Sequence, residues 1–360
     1  MKQTRVFAIY RGKLTENRGT PIRVRSILER LARDPRFSLT VASWDEKLPF
    51  PAAHIYLSNG KVADMRVLIR AAKQAKTKVI IGHTMSAWYY LAILKFMTTS
   101  KIVLEMHGFL EIEARFYRSI GAFRYWIERL VYSFFYPQCN LITTCSDNAA
   151  DILSRYNRNV IPVYGGVDTD LFRPDVEPMP LEKQKDDIVI GYAGNMRKWQ
   201  GVPFLLGAFS VLREKSPHFK LAILASEEKN VPSGEGITVV PGIPHERVPS
   251  FLAACDILVI PRVEDAVSSI SFPSKLPEYL AMGKPVVASA TSDAHRVITN
   301  DADGFIFPPG NTETFIEILY KLKDKKLRER IGKSARDTAL RNFSWDKQVG
   351  ILAARLLSLS

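Results

Sequence analysis

Short apolar runs alternate with longer amphipathic segments along most of the chain. Seven runs of strand length precede residue 168: VFAIY, LTVAS, AHIYL, KVIIGH, KIVLEMHG, LITTCS and VIPVYGG. Six more lie between residues 188 and 308: IVIGYAG, KLAILAS, ITVVPG, ILVIPR, PVVAS and GFIFP. Strands separated by helical patterns are typical of parallel sheets with helices on both faces. The pattern therefore predicts an α/β protein with two doubly wound domains in tandem.

The proline- and charge-rich segment at residues 173–187 separates the two series and has the composition of a linker. We therefore predict a first domain over residues 1–173 and a second over residues 174–343. Residues 344–360 have a helical pattern with no strand after it, and we expect this helix to pack back on the first domain. Doubly wound sheets bind ligands at the carboxyl ends of their strands, so the two domains are expected to face each other across a cleft.

The basic charge of the chain is unevenly distributed. Residues 1–175 contain 26 Lys and Arg against 15 Asp and Glu, a balance of +11 out of a total of +13. This half is therefore expected to have an anionic partner: nucleic acid, an acidic membrane surface or a phosphorylated substrate. The longest nearly uncharged stretch, residues 85–97, is too short to cross a bilayer, which takes about 20 residues.

The cysteines and the N-terminus indicate the compartment. Cys139, Cys145 and Cys255 are an odd number without C-x-x-C spacing, which indicates neither a disulfide framework nor a zinc site. The first strand-like run is too short to be the core of a signal peptide. We therefore expect a cytoplasmic protein.

The stretch SFPSKLPEYLAMGKPVVAS, residues 271–289, predicts a loop, a short helix and a buried strand. Ser274 is a suitable N-cap, and Gly283 can end the helix. The helix N-terminus and the Lys275 ammonium favour a phosphate. Glu278 can then accept hydrogen bonds from hydroxyl groups beside that phosphate, as in a nucleotide. The alternative is that Glu278 only complements the helix dipole.

The loop after the first predicted strand is a second candidate phosphate site. Gly19 and Thr20 precede a helix with Arg23 and Arg25 near its start, and a glycine lets backbone approach a phosphate closely. An ordinary turn is the alternative. A dinucleotide cofactor is disfavoured, because neither half has a G-x-G-x-x-G motif after its first strand.

Six segments in a fixed order carry a family resemblance. They are MHGFLE, NLITTCSDNAADIL, VIPVYGGVDTDLFRP, GYAGNMRKWQGVPFLLGAF, ACDILVIPR and SFPSKLPEYLAMGKPVVAS. In these segments the chain resembles the retaining, GT-B-fold glycosyltransferases of glycosyltransferase family 4, the "group 1" family. The resemblance implies two Rossmann-like domains and transfer of a sugar, with retention of anomeric configuration, from a UDP or GDP sugar to an acceptor hydroxyl. The expected acceptor is a glycan or a lipid-linked molecule in the synthesis of cell-surface polysaccharide or glycolipid.

The donor motif departs from the family pattern at two positions. The family has two glutamates separated by seven residues: the second is Glu278, which in the family holds the donor ribose, and the first falls on Ile270. SFP replaces the common SFG, so Ser271 and Phe272 keep their donor-binding positions while Pro273 lacks the amide that the family's glycine can offer.

The loop GNMRKWQG differs in a similar way, with Asn195 and Gln200 at the positions of the usual diphosphate ligands. Arg197 and Lys198, in the same loop, are the expected substitutes, and solvated surface residues are the alternative. With Lys275 they are expected to stabilise the charge on the leaving diphosphate. The family scheme needs no protein nucleophile, and we expect no cofactor and no metal.

Three further residues match the donor site of the family. His107 follows a buried strand and matches the histidine near the transferred sugar, which makes it, with Lys275, the expected catalytic residue. Gly242 and Ile243 match a turn whose backbone reaches the base. The alternatives are a satisfied polar residue at a strand end and a simple turn.

Two rival functions follow from other features. A GT-B-fold nucleotide-sugar epimerase would need additional acid and base carboxylates. This reading is not favoured, because Ile270 replaces one of the glutamates of the family. The charge of +13 suggests nucleic-acid binding, but the basic residues are dispersed and form no nucleic-acid-binding motif, so no nucleic-acid partner is expected.

Residues 115–137 carry two helical stripes. The apolar stripe is predicted to face the core: Phe116, Ile120, Phe123, Ile127, Leu130 and Phe134. The other mixes cations with tyrosines: Arg118, Tyr125, Arg129, Tyr132 and Tyr136. This second stripe suits the interface of an anionic bilayer, and packing of the tyrosines against neighbouring helices is the alternative. We therefore expect a protein that is peripheral on the inner face of the membrane.

Overall fold

The computed structural model describes residues 3–16, 19–58, 60–116, 119–225 and 234–360, and they form two compact units. Unit 1 comprises the residues up to Gly165 together with Trp345–Ser360, and unit 2 comprises Gly166–Ser344. The break at Gly165 precedes the predicted boundary at residue 173. The proline-rich segment therefore belongs to unit 2.

Unit 1 is built on a seven-stranded parallel sheet with the order β3-β2-β1-β4-β5-β6-β7. Its strands are β1 (Thr4–Tyr10), β2 (Phe37–Ser43), β3 (Ala53–Tyr56), β4 (Val79–His83), β5 (Lys101–Met106), β6 (Leu141–Thr144) and β7 (Val160–Pro162). Its helices are α1 (Gly19–Arg33), α2 (Lys61–Gln74), α3 (Trp88–Met97), α4 (Leu110–Phe116), α5 (Ala122–Phe135), α6 (Asp147–Leu153) and α13 (Trp345–Ser358). The apolar side chains of α1 and α13 share one core with β1 and β2, so the last helix packs within unit 1.

Unit 2 is built on a six-stranded parallel sheet with the order β10-β9-β8-β11-β12-β13. Its strands are β8 (Ile188–Gly194), β9 (Phe219–Ala225), β10 (Ile237–Pro241), β11 (Ile257–Ile260), β12 (Val286–Ser289) and β13 (Phe305–Phe307). Its helices are α7 (Val202–Lys215), α8 (Val248–Ala254), α9 (Lys275–Ala281), α10 (Ala294–Val297), α11 (Thr312–Lys321) and α12 (Lys325–Asn342). The predicted α/β class with two doubly wound parallel sheets is confirmed.

Helices α9 and α12 contact each other through two glycines. Gly283 ends α9 with a φ of +64°, and a Cβ at Gly332 of α12 would lie 2.1 Å from the carbonyl oxygen of Gly283. Arg336, one turn further along α12, donates hydrogen bonds to the carbonyl oxygens of Phe172 and Ala281. Because neither glycine has a side chain, the two helices meet at backbone distance.

Helix α5 is oriented opposite to the prediction. Phe123, Leu130 and Phe134 of the stripe predicted to be core are 81%, 59% and 71% exposed. Tyr132 and Tyr136, predicted to face a membrane, are buried instead.

The burial of these tyrosines has a physical reason. The ring of Tyr132 packs edge-on against Trp88 of α3 at a centroid distance of 6.0 Å, and it also contacts Tyr136. Both faces of α5 carry large apolar side chains, so the neighbouring aromatic helix decides which one is covered. Among the described residues, none of the helices has the length and apolarity needed to cross a membrane.

Candidate functional site

Lys275, at the start of α9, is a cation whose hydrogen bond goes to a neutral side chain. Its Nζ atom donates a hydrogen bond to Oε1 of Gln200 at 3.1 Å and lies 4.1 Å from the centre of the Tyr192 ring. Burial, together with the charge of Arg262, lowers the pKa of Lys275 to about 7, although Glu278 opposes the shift. An anion that approached Nζ would stabilise the ammonium form.

Arg262 is a second cation of this kind, directly after β11. The side chain is buried, donates to the carbonyl oxygen and the hydroxyl oxygen of Ser271 at 2.6 and 2.9 Å, and stacks over Trp199 at 4.4 Å. A guanidinium keeps its charge under all physiological conditions. Arg262 is close enough to Lys275 for its charge to contribute to the lowered pKa of that lysine.

The loop between β8 and α7 begins and ends with glycines in unusual conformations. Gly194 has a φ of +149°, and a Cβ there would lie 2.5 Å from the Lys275 ammonium nitrogen. Gly201 has a φ of +74°, and its Cβ would lie 1.6 Å from the Pro261 carbonyl oxygen. These approaches hold the loop against Lys275 and against the end of β11. Arg197 and Lys198, between the glycines, are exposed.

Glu278 lies one turn into α9 and accepts a hydrogen bond from Nε2 of His245 at 3.0 Å. The His245 ring also contacts Phe172, with 5.3 Å between ring centres. About a quarter of the Glu278 side chain is exposed, at 23%. One carboxylate oxygen therefore has a protein partner, and the other can accept hydrogen bonds from a ligand. Gly242 and Ile243 precede His245 in the loop after β10.

The serine-rich loop before α9 differs in part from its predicted role. Ser274 occupies the N-cap position, but it has helical dihedral angles and its side chain forms no capping hydrogen bond. Phe272 is buried and stacks on Phe343 at 5.9 Å, so its side chain serves the packing of unit 2. Ser271 holds Arg262.

The other expected catalytic residue, His107, belongs to a buried cluster in unit 1. Its Nε2 atom is hydrogen-bonded to Oε2 of Glu105, and Nδ1 of His83 reaches the same oxygen at 3.0 Å. The Nε atom of Arg23 donates to the other oxygen of Glu105 at 2.8 Å. Glu105 and His83 are fully buried at opposed positions on β5 and β4. The cluster thus lies at the carboxyl ends of two central strands.

The cluster has a definite charge state. Burial alone would raise the pKa of Glu105, but His107, Arg23 and the two imidazole hydrogen bonds hold it well below its usual value. Burial lowers the pKa of His107, and Glu105 only partly offsets this. At neutral pH the cluster therefore combines an ionised Glu105 with Arg23⁺ and a neutral His107.

The side chains of His83, Glu105 and His107 also have the spacing of a metal-binding group, since their ligand atoms lie within 4.8 Å of one another. The guanidinium of Arg23 on the same carboxylate disfavours a divalent cation, because the two positive charges would repel each other. Both imidazoles already point a nitrogen at one carboxylate oxygen. The donor set therefore fits a hydrogen-bonded cluster better than a metal.

The remaining predicted residues of unit 1 have mixed outcomes. Gly19 and Thr20 form the first turn of α1, where Gly19 is exposed. Tyr125 and Arg129 are half-buried and hydrogen-bonded to each other, with Arg129 Nη1 donating to the Tyr125 hydroxyl at 3.0 Å. Arg118 lies outside the described residues.

Several residues of these two groups were missed from the sequence: Gln200, Tyr192, Trp199, His245, Glu105 and His83. One signal was available, because Glu105 interrupts the apolar strand KIVLEM, and a carboxylate in a buried strand needs a partner. The partners are too far along the chain to be inferred: Arg23 is separated from Glu105 by 82 residues.

Family comparisons agree with both units. The family "Glycosyl transferases group 1" matches residues 175–338, and "Glycosyltransferase Family 4" matches residues 17–171. Each unit thus matches a glycosyltransferase family model, and the two Rossmann-like sheets agree with the GT-B fold. The matched regions correspond to unit 2 and unit 1 respectively.

Individual relatives are distant. The chain is 27% identical over 207 residues to the capsular polysaccharide biosynthesis glycosyltransferase CapM of Staphylococcus aureus, a match that covers 53% of each protein. The match thus spans about half the length of this curated relative.

Solved structures agree over almost the full length. Sucrose-phosphate synthase from Thermosynechococcus elongatus has a TM-score of 0.78 at 16% identity, covering 99% of this chain and 100% of that one. Anabaena Alr3699/HepE in complex with UDP has a TM-score of 0.74 at 16% identity, with the same coverage. At these identities the likeness establishes the fold.

Proposed function

We propose that the protein transfers a sugar from a nucleoside-diphosphate sugar to an acceptor hydroxyl. The observation that carries the proposal is Lys275, whose ammonium group donates a hydrogen bond to the neutral Gln200 side chain and whose pKa is lowered to about 7 by burial and by the charge of Arg262. A diphosphate supplies the negative charge that such a site favours. The match of unit 2 to the group 1 glycosyltransferases supports the same assignment.

The other residues of unit 2 take roles that follow from their positions. The free oxygen of Glu278 holds the hydroxyls of the ribose, and the backbone of Gly242 and Ile243 contacts the base. Arg197 and Lys198, which are exposed on the loop after β8, bind the outer oxygens of the diphosphate. UDP or GDP is the proposed nucleotide, and the UDP complex of HepE supports the former.

The reaction proceeds with retention of the anomeric configuration. The leaving diphosphate takes the proton of the acceptor hydroxyl, while Lys275 stabilises the negative charge that develops on it. His107 contacts the transferred sugar. Lysine and arginine side chains supply the positive charge that a divalent cation supplies elsewhere, so the proposed reaction continues in the presence of EDTA.

Binding of nucleoside diphosphates tests whether Lys275 is part of a diphosphate site. Isothermal titration calorimetry with UDP, GDP, ADP and CDP should give a saturable signal with at least one of them, and Lys275→Met should weaken that binding by roughly 100-fold. Lys284→Met is the matched control, because Lys284 is another partly buried lysine, bonded to the Ala253 carbonyl oxygen. Absence of binding by all four nucleotides would reject the proposal.

The stereochemistry is tested on the product. With an accepted donor and an acceptor panel, nuclear magnetic resonance should show the anomeric configuration of the donor in the product. A product of inverted configuration would reject the retaining mechanism but not the proposed sugar transfer.

We further propose that the protein acts on a glycan or lipid-linked acceptor while bound to the surface of an anionic bilayer. The supporting observation is the exposed face of α5, with Phe123 81% and Trp126 65% exposed next to Leu130 and Phe134. Arg129 lies over the Trp126 ring at 5.9 Å, a combination of cation and aromatic ring that suits the lipid headgroup region. The excess of +11 in residues 1–175 favours an anionic surface over a second, equally basic copy. The role of CapM in capsular polysaccharide biosynthesis agrees with this proposal.

Vesicle sedimentation tests the membrane proposal and the corrected orientation of α5. The protein should sediment with phosphatidylglycerol vesicles and much less with phosphatidylcholine vesicles, and the double variant Phe123→Ser, Phe134→Ser should remain in solution. Leu340→Ser is the control, because Leu340 is an exposed apolar residue of unit 2. Equal sedimentation of wild type and double variant would reject the α5 face as the binding surface.

A further inference from the structure

The carboxylate of Glu105 has more partners than charge neutralisation needs. A buried carboxylate is stable only when it is paired and hydrogen-bonded, and Arg23 alone supplies the opposite charge. Two imidazoles occupy the remaining oxygen as well. The arrangement therefore also constrains the two histidines, in addition to stabilising Glu105.

The position of Glu105 is fixed from three directions. Arg23 holds one carboxylate oxygen through Nε and anchors itself by donating from Nη2 to the Val163 carbonyl oxygen at 2.6 Å. The parallel register places His83 opposite Glu105 on the next strand. The second oxygen is thereby aimed at the imidazoles, and a change in any of the three χ angles of Glu105 would break its ion pair with Arg23.

The hydrogen bonds of an ionised carboxylate determine where the imidazole protons lie. A carboxylate only accepts hydrogen bonds, so Nε2 of His107 and Nδ1 of His83 must each carry a hydrogen. The neutral His107 ring then has its lone pair on Nδ1. A histidine tautomer is set by the partner of the opposite nitrogen in this way.

We infer that Glu105 is a positioning residue, which fixes His107 in the Nε2–H tautomer so that Nδ1 is a hydrogen-bond acceptor. The inference rests on the proposed function for its consequence: Nδ1 accepts a hydrogen bond from a hydroxyl group of the sugar being transferred. Glu105 itself touches no substrate. Its effect on the reaction passes through the imidazole.

The variant Glu105→Gln separates this role from simple packing. Glutamine has nearly the same shape, but Arg23 needs the amide oxygen, so the NH₂ group faces the imidazoles. His107 must then present a lone pair on Nε2 and carry its hydrogen on Nδ1, which is the wrong tautomer for accepting the hydroxyl. Glu105→Asp keeps a carboxylate and is the conservative variant.

Nuclear magnetic resonance of ¹⁵N-labelled histidine reads the tautomer without any need for activity. The His107 signal, assigned by its loss in His107→Asn, should show the neutral Nε2–H form at pH 7 in wild type. It should show the Nδ1–H form in Glu105→Gln. A wild-type His107 that is cationic or protonated on Nδ1 would overturn the inference even if the protein is a glycosyltransferase.

Kinetics test the consequence for the reaction. In Glu105→Gln, kcat should fall about tenfold or more, while the dissociation constant of the nucleoside diphosphate without sugar stays within about twofold. Glu105→Asp should recover part of the lost kcat, and Glu46→Gln, at an exposed position of unit 1, should behave as wild type. An unchanged kcat despite a switched tautomer would show that Nδ1 is not used, and loss of nucleotide affinity in parallel with kcat would indicate a merely structural role. If Glu105→Gln does not fold, the wild-type tautomer and Glu105→Asp still decide the question.

Discussion

The two titratable centres of the molecule solve the same physical problem in opposite ways. In unit 1, Arg23 is paired with the ionised Glu105, and the charges balance inside the protein. In unit 2, Lys275 and Arg262 have an amide, a carbonyl, a hydroxyl and aromatic rings as partners. We call the first centre complete, because its cation has an ionised partner. We call the second incomplete, because Lys275 is hydrogen-bonded to a neutral amide and its pKa is lowered to about 7. An anion bound at the second centre would restore the ammonium form of Lys275.

The largest expected effect comes from breaking the complete centre. Arg23→Met removes the cation and leaves Glu105 buried without its counter-charge, so the free energy of unfolding should fall by about 3 to 5 kcal/mol. Chemical denaturation followed by tryptophan fluorescence and by circular dichroism measures this. A loss below about 1 kcal/mol would mean that Glu105 is neutral in the folded protein, which would remove the contrast between the centres.

Removal of the cation from the incomplete centre should have the reverse pattern. Lys275→Met should leave the stability of the ligand-free protein unchanged or raise it, because the variant no longer buries an ammonium group. Nucleoside diphosphate affinity should fall by roughly 100-fold, since a charge-assisted hydrogen bond of about 3 kcal/mol is lost. Thermal unfolding with and without nucleotide measures both quantities on one sample. A large destabilisation without nucleotide would show that Lys275 has a structural counter-charge.

A smaller effect is expected for Glu278→Ala. The variant removes an acceptor for the ribose hydroxyls and the partner of His245, so donor affinity should fall about tenfold or more. The fold should persist, because the side chain is partly exposed at the start of a short helix. Binding of the nucleoside diphosphate and of its 2′-deoxy analogue gives the check: the variant should no longer discriminate between them. Unchanged discrimination would return Glu278 to a role in the helix dipole.

The smallest expected effect is the pH dependence of nucleotide binding, which tests whether Lys275 has a lowered pKa before an anion binds. The Lys275 pKa is lowered from 10.5 to about 7 in the ligand-free protein, and a bound diphosphate raises it again because the ammonium gains a counter-charge. Above pH 7 binding therefore takes up a proton, and the dissociation constant should rise by up to about tenfold per pH unit. Calorimetry at pH 8 in buffers of different ionisation enthalpy should detect this uptake, and Lys275→Arg should abolish it. Equal enthalpies in all buffers would contradict the low pKa.

The same group predicts how stability changes with pH. Because the folded-state pKa lies below the unfolded value, the unfolded chain binds more protons between about pH 7 and pH 10. The contribution of Lys275 to the free energy of unfolding therefore rises with pH across this window and is lost as the pH falls through 7. A saturating nucleoside diphosphate should flatten this dependence.

The fold was predictable from local pattern because each strand is a contiguous apolar run. Each of the 13 strands in the described residues overlaps one of the runs identified in the sequence, and ten of them lie entirely within their run. The faces of α5 were not predictable. Both stripes of this helix carry large aromatic side chains, and the covered side is the one whose Tyr132 packs against Trp88 of another helix.

The sites divide in the same way. Lys275 and Glu278 could be predicted because one short segment contains both the helix start and the charged groups. The contact of Gln200 with Lys275 could not, since Gln200 lies in a loop 75 residues earlier in the chain. Glu105 could be recognised in the sequence as a charged residue within an apolar strand. Its partners could not, because the order of the strands in the sheet and the position of α1 determine them.

The glycine contact between α9 and α12 should make the two helices unfold locally as one cooperative unit. With the Gly332 Cα against the Gly283 carbonyl, and with Arg336 tied to Ala281 and Phe172, neither helix can unfold locally while the other stays intact. Backbone amides in α9 and in the middle of α12 should therefore exchange with deuterium at one common, slow rate. A ligand that binds beside Lys275 would slow exchange in α12, a helix that it does not touch.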